Sequence, residues 1–145
     1  MRQLRIVWIV RTLSLGMLFG SLPGCAPTPG AVCSPGLGPP ILVFSLFFGR
    51  AVAARNDVNE SMWQRFRDDT ITPNLPNGYT VLDATGAWMN PMTHETMNEA
   101  SRMIIAALPV SSSSLAAVNR IRTEYQVRFR QQLVGMAVAH ECGSF

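Results

Sequence analysis

No lysine occurs anywhere in this chain; all twelve basic residues are arginine. Without a side-chain primary amine, Schiff-base chemistry and Ser–Lys hydrolysis are excluded. The glycine-rich dinucleotide fingerprint, the P-loop, the G-x-S-x-G elbow, the H-E-x-x-H pair and C-x-x-C are also missing, and with them the mechanisms those spacings serve. Histidine is scarce. His94 and His140 stand far from each other and, taken with the cysteines, make no cluster at zinc-ligand spacing. No cofactor and no metal is expected. The four serines from Ser111 to Ser114 precede a helical pattern and read as capping residues, not as nucleophiles.

Charge is sparse and unevenly placed. The formal net charge is +3, but Arg2, Arg5 and Arg11 supply all of the excess, and the other nine arginines balance nine acidic residues. A chain that is neutral beyond its first 24 residues lacks the basic footprint that nucleic acid requires, so that partner is excluded. The three arginines, followed by the uncharged run Thr12 to Leu22, have the form of an export signal. Arg11 shortens the apolar run to about half of the roughly 20 residues that span a bilayer.

The run ends in Leu22-Pro23-Gly24-Cys25, which resembles the bacterial lipoprotein signal, with Pro23 departing from the small residue usual there. On this reading Cys25 becomes the lipidated first residue, and several acyl chains hold the protein on a membrane. Ala26, in place of Asp, points to the outer membrane on its periplasmic side. The other reading is ordinary cleavage further on, which releases a soluble periplasmic or secreted protein. Residues 26–40 hold five prolines, three glycines and no charge, the composition of a semi-extended spacer. The expected organisation is a signal over 1–24, a lipidated linker over 25–40 and one domain over 41–145.

Within the domain, Ile41 to Phe48 is an almost unbroken apolar run of strand length, rich in β-branched and aromatic residues and suited to burial on both faces. Asn59 is placed to cap a helix reaching about Thr72, with Val58 and Trp63 as a hydrophobic staple. Met62, Trp63, Phe66 and Ile71 form its apolar stripe, and Pro73 and Leu75-Pro76-Asn77-Gly78 end it. Tyr79 to Ala84 reads as an edge strand turning at Thr85-Gly86, and Asn90-Pro91 marks the loop of a long hairpin. Ala100 to Leu108 is a second apolar strand. Leu115, Val118, Ile121, Arg122, Tyr125 and Phe129 fall at helical spacing. A last strand runs from about Leu133 to Ala139.

The order βαββαβ predicts an α+β ferredoxin-like sandwich: a four-stranded antiparallel sheet with two helices on one face and the first and third strands central. This topology lays the end of the fourth strand beside the start of the first. It therefore brings Cys142 toward Cys33, and in an exported chain such a pair reads as a disulfide before two free thiols. Both faces of the first strand are apolar, so the face without helices needs a cover. A homodimer stacked through the open sheet face is one candidate; the linker or the hairpin folded over it is the other.

Several short motifs occur in order: Phe48-Gly49-Arg50, Trp63 with Phe66, Thr72-Pro73, Pro76-Asn77-Gly78, Thr80-Val81-Leu82-Asp83, Gly86 with Trp88, Glu99 with Ser101, Tyr125, Phe129, and Cys142-Gly143-Ser144-Phe145. This set resembles a bacterial family of small exported domains, domain of unknown function 3574, from about Cys33 to Phe145. Arg102 stands where that family commonly has Lys, which keeps the charge and changes its shape. The resemblance implies no activity, substrate or cofactor.

The topology also gathers Arg50, Trp88, Glu99 and Arg102 at one sheet edge. They make either a polar pocket or a structural cluster. In the pocket, an arginine binds an anionic group, Trp88 stacks on it and Glu99 orients it or accepts a proton. In the cluster, Arg50 and Glu99 pair and Trp88 closes the core. The function expected is a non-enzymatic envelope module that binds a protein or small-molecule partner, the alternative being a small enzyme using Arg50, Glu99 and Trp88. A purely structural lipoprotein is the third possibility. Mass spectrometry of the mature N-terminus tests the anchor: an acylated Cys25 is expected, and an unmodified N-terminus further along returns the soluble reading.

Overall fold

The computed structural model describes residues 33–51 and 57–144. The expectations for the signal, for acylation of Cys25 and for the spacer up to Val32 fall outside these residues.

Strand β1 (Pro40–Gly49) forms from the long apolar run and occupies the centre of the sheet. Four strands lie in the order β2-β3-β1-β4, with β2 spanning Thr80–Met89, β3 Thr96–Pro109 and β4 Gly135–Cys142. All three pairings are antiparallel. The first and third strands are central because they carry the most apolar sequence, and a central strand meets packed side chains on more sides than an edge strand does. This is the ferredoxin-like α+β arrangement expected.

Period-2 alternation divides β1 cleanly. Phe44, Leu46 and Phe48 are fully buried under the helices, while Val43, Ser45 and Phe47 face the other way. The helical layer consists of α1 (Glu60–Phe66), a π turn (Arg67–Ile71), α2 (Thr72–Asn74) and the long α3 (Ser112–Phe129). Asn59 caps α1, its Oδ1 accepting the Met62 N–H at 3.0 Å. Ser111 caps α3 through the Ser114 N–H at 3.1 Å, as the capping reading of the serine run requires. Phe48 stands at the centre of the core. Its ring lies 4.8 Å from Tyr125, 5.4 Å from Trp63 and 6.2 Å from Phe66, each edge to face, the geometry aromatic quadrupoles favour.

The structure corrects several boundaries. Pro73 does not end the helical run, which reaches Asn74. The π turn before it widens the spiral, so the N–H of Thr72 reaches the Arg67 carbonyl and the proline ring is accommodated. Strand β2 continues through Thr85-Gly86 instead of turning there, and β3 starts at Thr96 to match it. Gly86 pairs with Glu99, whose Cγ would lie 3.7 Å from a Cβ at Gly86, so the glycine serves as a bed for that side chain. The hairpin loop does fall at Asn90, whose Oδ1 accepts the Met92 N–H at 2.9 Å. Leu115 is exposed, and Ser114 takes its place on the buried stripe of α3.

Register places Pro40 opposite Cys142. Cys33 and Cys142 are bonded, with Cα atoms 5.7 Å apart across 109 residues of sequence. Gly38 adopts φ +84° where the two ends cross, and a Cβ there would collide with the Gly143 carbonyl. Closing so long a loop removes much of the unfolded chain's freedom. The paired replacement of Cys33 and Cys142 by serine is expected to lower stability by about 4–5 kcal/mol, read from the urea midpoint. A change below about 1 kcal/mol would show that the crosslink does not constrain the unfolded state.

Candidate functional site

Both helices lie on one side of the sheet; among the described residues nothing covers the other side. Along β3 the even residues Ile104, Ala106 and Leu108 are buried with the helices. Glu99, Ser101, Met103, Ile105 and Ala107 share the opposite face with Val43, Ser45 and Phe47 of β1. From β2, Leu82, Ala84 and Trp88 join them by register. Phe47, Leu82 and Trp88 retain 45%, 43% and 49% of their accessible surface. Between Glu99 at one end and Glu141 at the other, no charged side chain interrupts the face.

The four residues expected to converge divide between the two sides. Arg102 pairs in register with Phe48 and Asp83, so it faces the helices. Its guanidinium contacts the carboxylates of Glu60 and Asp83, the latter at 2.5 Å, and lies 5.9 Å from the centre of the Trp63 ring. Its Nε is buried without a hydrogen-bond partner among the described residues. Two carboxylates and an aromatic face already engage this cation, so it joins the start of α1 to β2 and is not presented to an anion.

Arg50 also has a structural commitment. Its backbone N–H donates to the Ala100 carbonyl at 3.0 Å, and its Nε donates to the Val58 carbonyl at 2.7 Å. Among the described residues no ion pair joins Arg50 to Glu99. Trp88 does not close the core, because the extended β2 carries it onto the open face beyond the reach of α1. Glu99 lies one row from Trp88, its carboxylate over Gly49; Oε1 would sit 2.9 Å from a Cβ built there. Among the described residues no donor hydrogen-bonds to this carboxylate. The rim of the open face at this end is therefore an indole beside an acid on a floor of two glycines.

Tyr125, a residue of the helical stripe of α3, also borders this region. Its hydroxyl donates to the Gly49 carbonyl at 2.9 Å. Burial raises its pKa well above the ordinary tyrosine value, with Glu99 adding to the rise and Arg50 opposing it. Helical periodicity carries no sign that a stripe residue reaches a neighbouring strand end, so only the assembled sheet discloses the contact.

The family model described as "Protein of unknown function (DUF3574)" matches residues 44–145. The chain belongs to the DUF3574 family. That match covers the whole described sheet from Phe44 onward together with all of its helices. No curated protein matches the chain in sequence. Among solved structures, it is similar to a phage SAM lyase in complex with S-methyl-5'-thioadenosine, with a TM-score of 0.54 and 14% identity over 71% of this chain and 90% of that one. It is also similar to CutA1 from Oryza sativa, with a TM-score of 0.50 and 10% identity over 75% of this chain and 86% of that one. At such identities the likeness is one of fold.

The raised Tyr125 pKa has a consequence for alkaline stability. The unfolded chain releases this proton near pH 10, whereas the folded one holds it to higher pH. The stabilisation is complete below pH 10 and is lost as the pH rises above it. Urea titrations between about pH 9 and pH 12 should show stability falling, and Tyr125→Phe should flatten the fall; an unchanged slope in the variant would refute the assignment.

Proposed function

We propose that this DUF3574 chain is a non-enzymatic binding module of the cell envelope, tethered through Cys25, that meets its partner with the open face of its sheet. One observation carries the reading: an apolar face, free of charge between Glu99 and Glu141, extends over the central strands and β2, with Phe47 and Leu82 each close to half exposed. Contiguous apolar surface of this kind is uncommon on a free monomer and marks an interaction site, since its removal from water is favourable by roughly 25 cal/mol per Å². Trp88 and Glu99 supply a polar, hydrogen-bonding end to that face. The tether is supported by the basic start of the chain, the uncharged run Thr12 to Leu22 and the position of Cys25 after Leu22-Pro23-Gly24. Ala26 favours the periplasmic side of the outer membrane.

The enzyme reading built on Arg50, Glu99 and Trp88 has weaker support. The Arg50 Nε is committed to the Val58 carbonyl and the Tyr125 hydroxyl to the Gly49 carbonyl. No nucleophile–base pair lies at this rim among the described residues, which acid–base or covalent catalysis would need. Photo-crosslinking in intact cells tests the binding face. A photoreactive residue at Phe47 or Leu82 is expected to form adducts, whereas one at Val127, 71% exposed on α3, is not. Equal labelling from Val127, or none from the face, would remove the proposal.

A further inference from the structure

We propose that the tip of the β2–β3 hairpin binds a soft monovalent cation of the Cu(I) class through the thioethers of Met89 and Met92 and the imidazole of His94. The site is independent of the binding-face reading, because Met89 alternates with Trp88 and so leaves β2 on the side away from the open face. Three of the eight methionines fall between Met89 and Met97, which concentrates thioether in one short stretch. Met89 and Met92 are 63% and 87% exposed, and neither belongs to the core. Asn90, Pro91 and Thr93 supply the turn chemistry by themselves. The two exposed thioethers add nothing to it, so the fold gives them no task.

Hydrogen bonds within the loop fix its backbone. The Asn90 N–H donates to the Glu95 carbonyl at 2.9 Å, and the His94 N–H donates to the Asn90 carbonyl at 2.9 Å, closing residues 90–94 into one α-turn. Asn90 Oδ1 accepts the Met92 N–H and, at 3.4 Å, the Thr93 N–H. His94 adopts φ +57°, the left-handed conformation that returns the chain toward β3. Register sets Met89 opposite Thr96. With a period of two, the next position on that side, counting back from Thr96, is His94. Met92 stands at the apex between them. Two thioethers and an imidazole therefore meet at one end of the hairpin within six residues, whereas Met97 pairs with Trp88 on the open face.

The ligand set selects the ion. Thioether sulfur is soft and uncharged, and together with imidazole it suits Cu(I); calcium, magnesium and manganese take carboxylate, carbonyl and water oxygens instead. Among the described residues no group of three His, Cys, Asp or Glu could hold a metal ion, so zinc and the harder cations find no comparable set there. Thiolate, the stronger soft ligand, does not compete among these residues, because Cys33 and Cys142 are joined in the disulfide. Methionine has three rotatable bonds, which let both thioethers close on an ion while the hydrogen-bonded backbone of the loop stays in place.

Silver(I), a redox-stable ion of the same charge and softness, tests the site in the full chain carrying Cys25→Ser, which removes the one cysteine outside the disulfide. Nuclear magnetic resonance of labelled methionine methyls is the readout. One equivalent is expected to shift the methyl signals of Met89 and Met92 and the ring signals of His94, and to leave those of Met97, Met103 and Met136 in place. Met89→Leu, Met92→Leu and His94→Asn should each weaken Ag(I) binding, and Cu(I) binding measured against the chelator bicinchoninate, by about tenfold or more. Leucine conserves volume and asparagine tolerates the left-handed conformation, so the far-ultraviolet circular dichroism should not change. Met97→Leu, on the other side of the hairpin, should leave the affinity as it is. Shifts spread over methionines of other elements would mean an adventitious ion only and overturn the site. So would the absence of any shift, or a loss from Met97→Leu equal to that from Met92→Leu.

Discussion

Everything in this fold depends on β1 having two apolar faces and on Phe48 standing where they end. The ring of Phe48 meets Trp63 and Phe66 from the first helical segment and Tyr125 from α3, so both βα units close on a single side chain. Tyr125 in turn touches Phe129 at 4.7 Å and hydrogen-bonds to Gly49. Each such ring buries a large area and adds a directional edge-to-face term. The helices are therefore held against one face by a connected aromatic cluster, not by scattered aliphatic contacts. The residue after Phe48 is a glycine, and the carboxylate of Glu99 occupies the space that its missing side chain leaves.

The same alternation that builds the core creates the open face. A strand with apolar residues at both parities cannot satisfy them with helices on one side alone. Here the structure separates two kinds of polar residue that sequence placed together. Arg102 falls on the helix side, where Glu60, Asp83 and Trp63 surround its guanidinium. Because Glu60 and Asp83 are themselves 52% and 79% exposed, solvent screens the pairing, and its value lies in fixing the start of α1 against β2 more than in net stability. A planar guanidinium can bridge two carboxylates and lie against an indole together, a geometry that lysine does not reproduce.

The legible part of the fold was large for a physical reason. Strand and helix periods differ, and the βαββαβ order with two strongly apolar strands admits few sheet arrangements. The crosslink followed, since antiparallel placement of β4 beside β1 brings Cys142 to the linker. The ends of β2 and β3 were not legible. Thr85-Gly86 has turn composition, but local composition does not disclose that Glu99 across the strand uses the space Gly86 leaves. The extension of that hairpin also places Trp88 on the open face, which removes the alternative in which it closes the core.

For the site, residue type and order alone determined a great deal. They established that lysine chemistry and the common catalytic signatures are absent, that charge beyond residue 24 balances, and that one sheet face would be apolar without a helix to cover it. Tertiary structure decided which of Arg50, Trp88, Glu99 and Arg102 share a surface. The parity of each residue about the central strands sends Arg102 to the helices and Glu99 and Trp88 to the open face. Parity depends on register, and register is set by pairing between strands distant in sequence. That is a property of the assembled sheet, and no single stretch of the chain contains it.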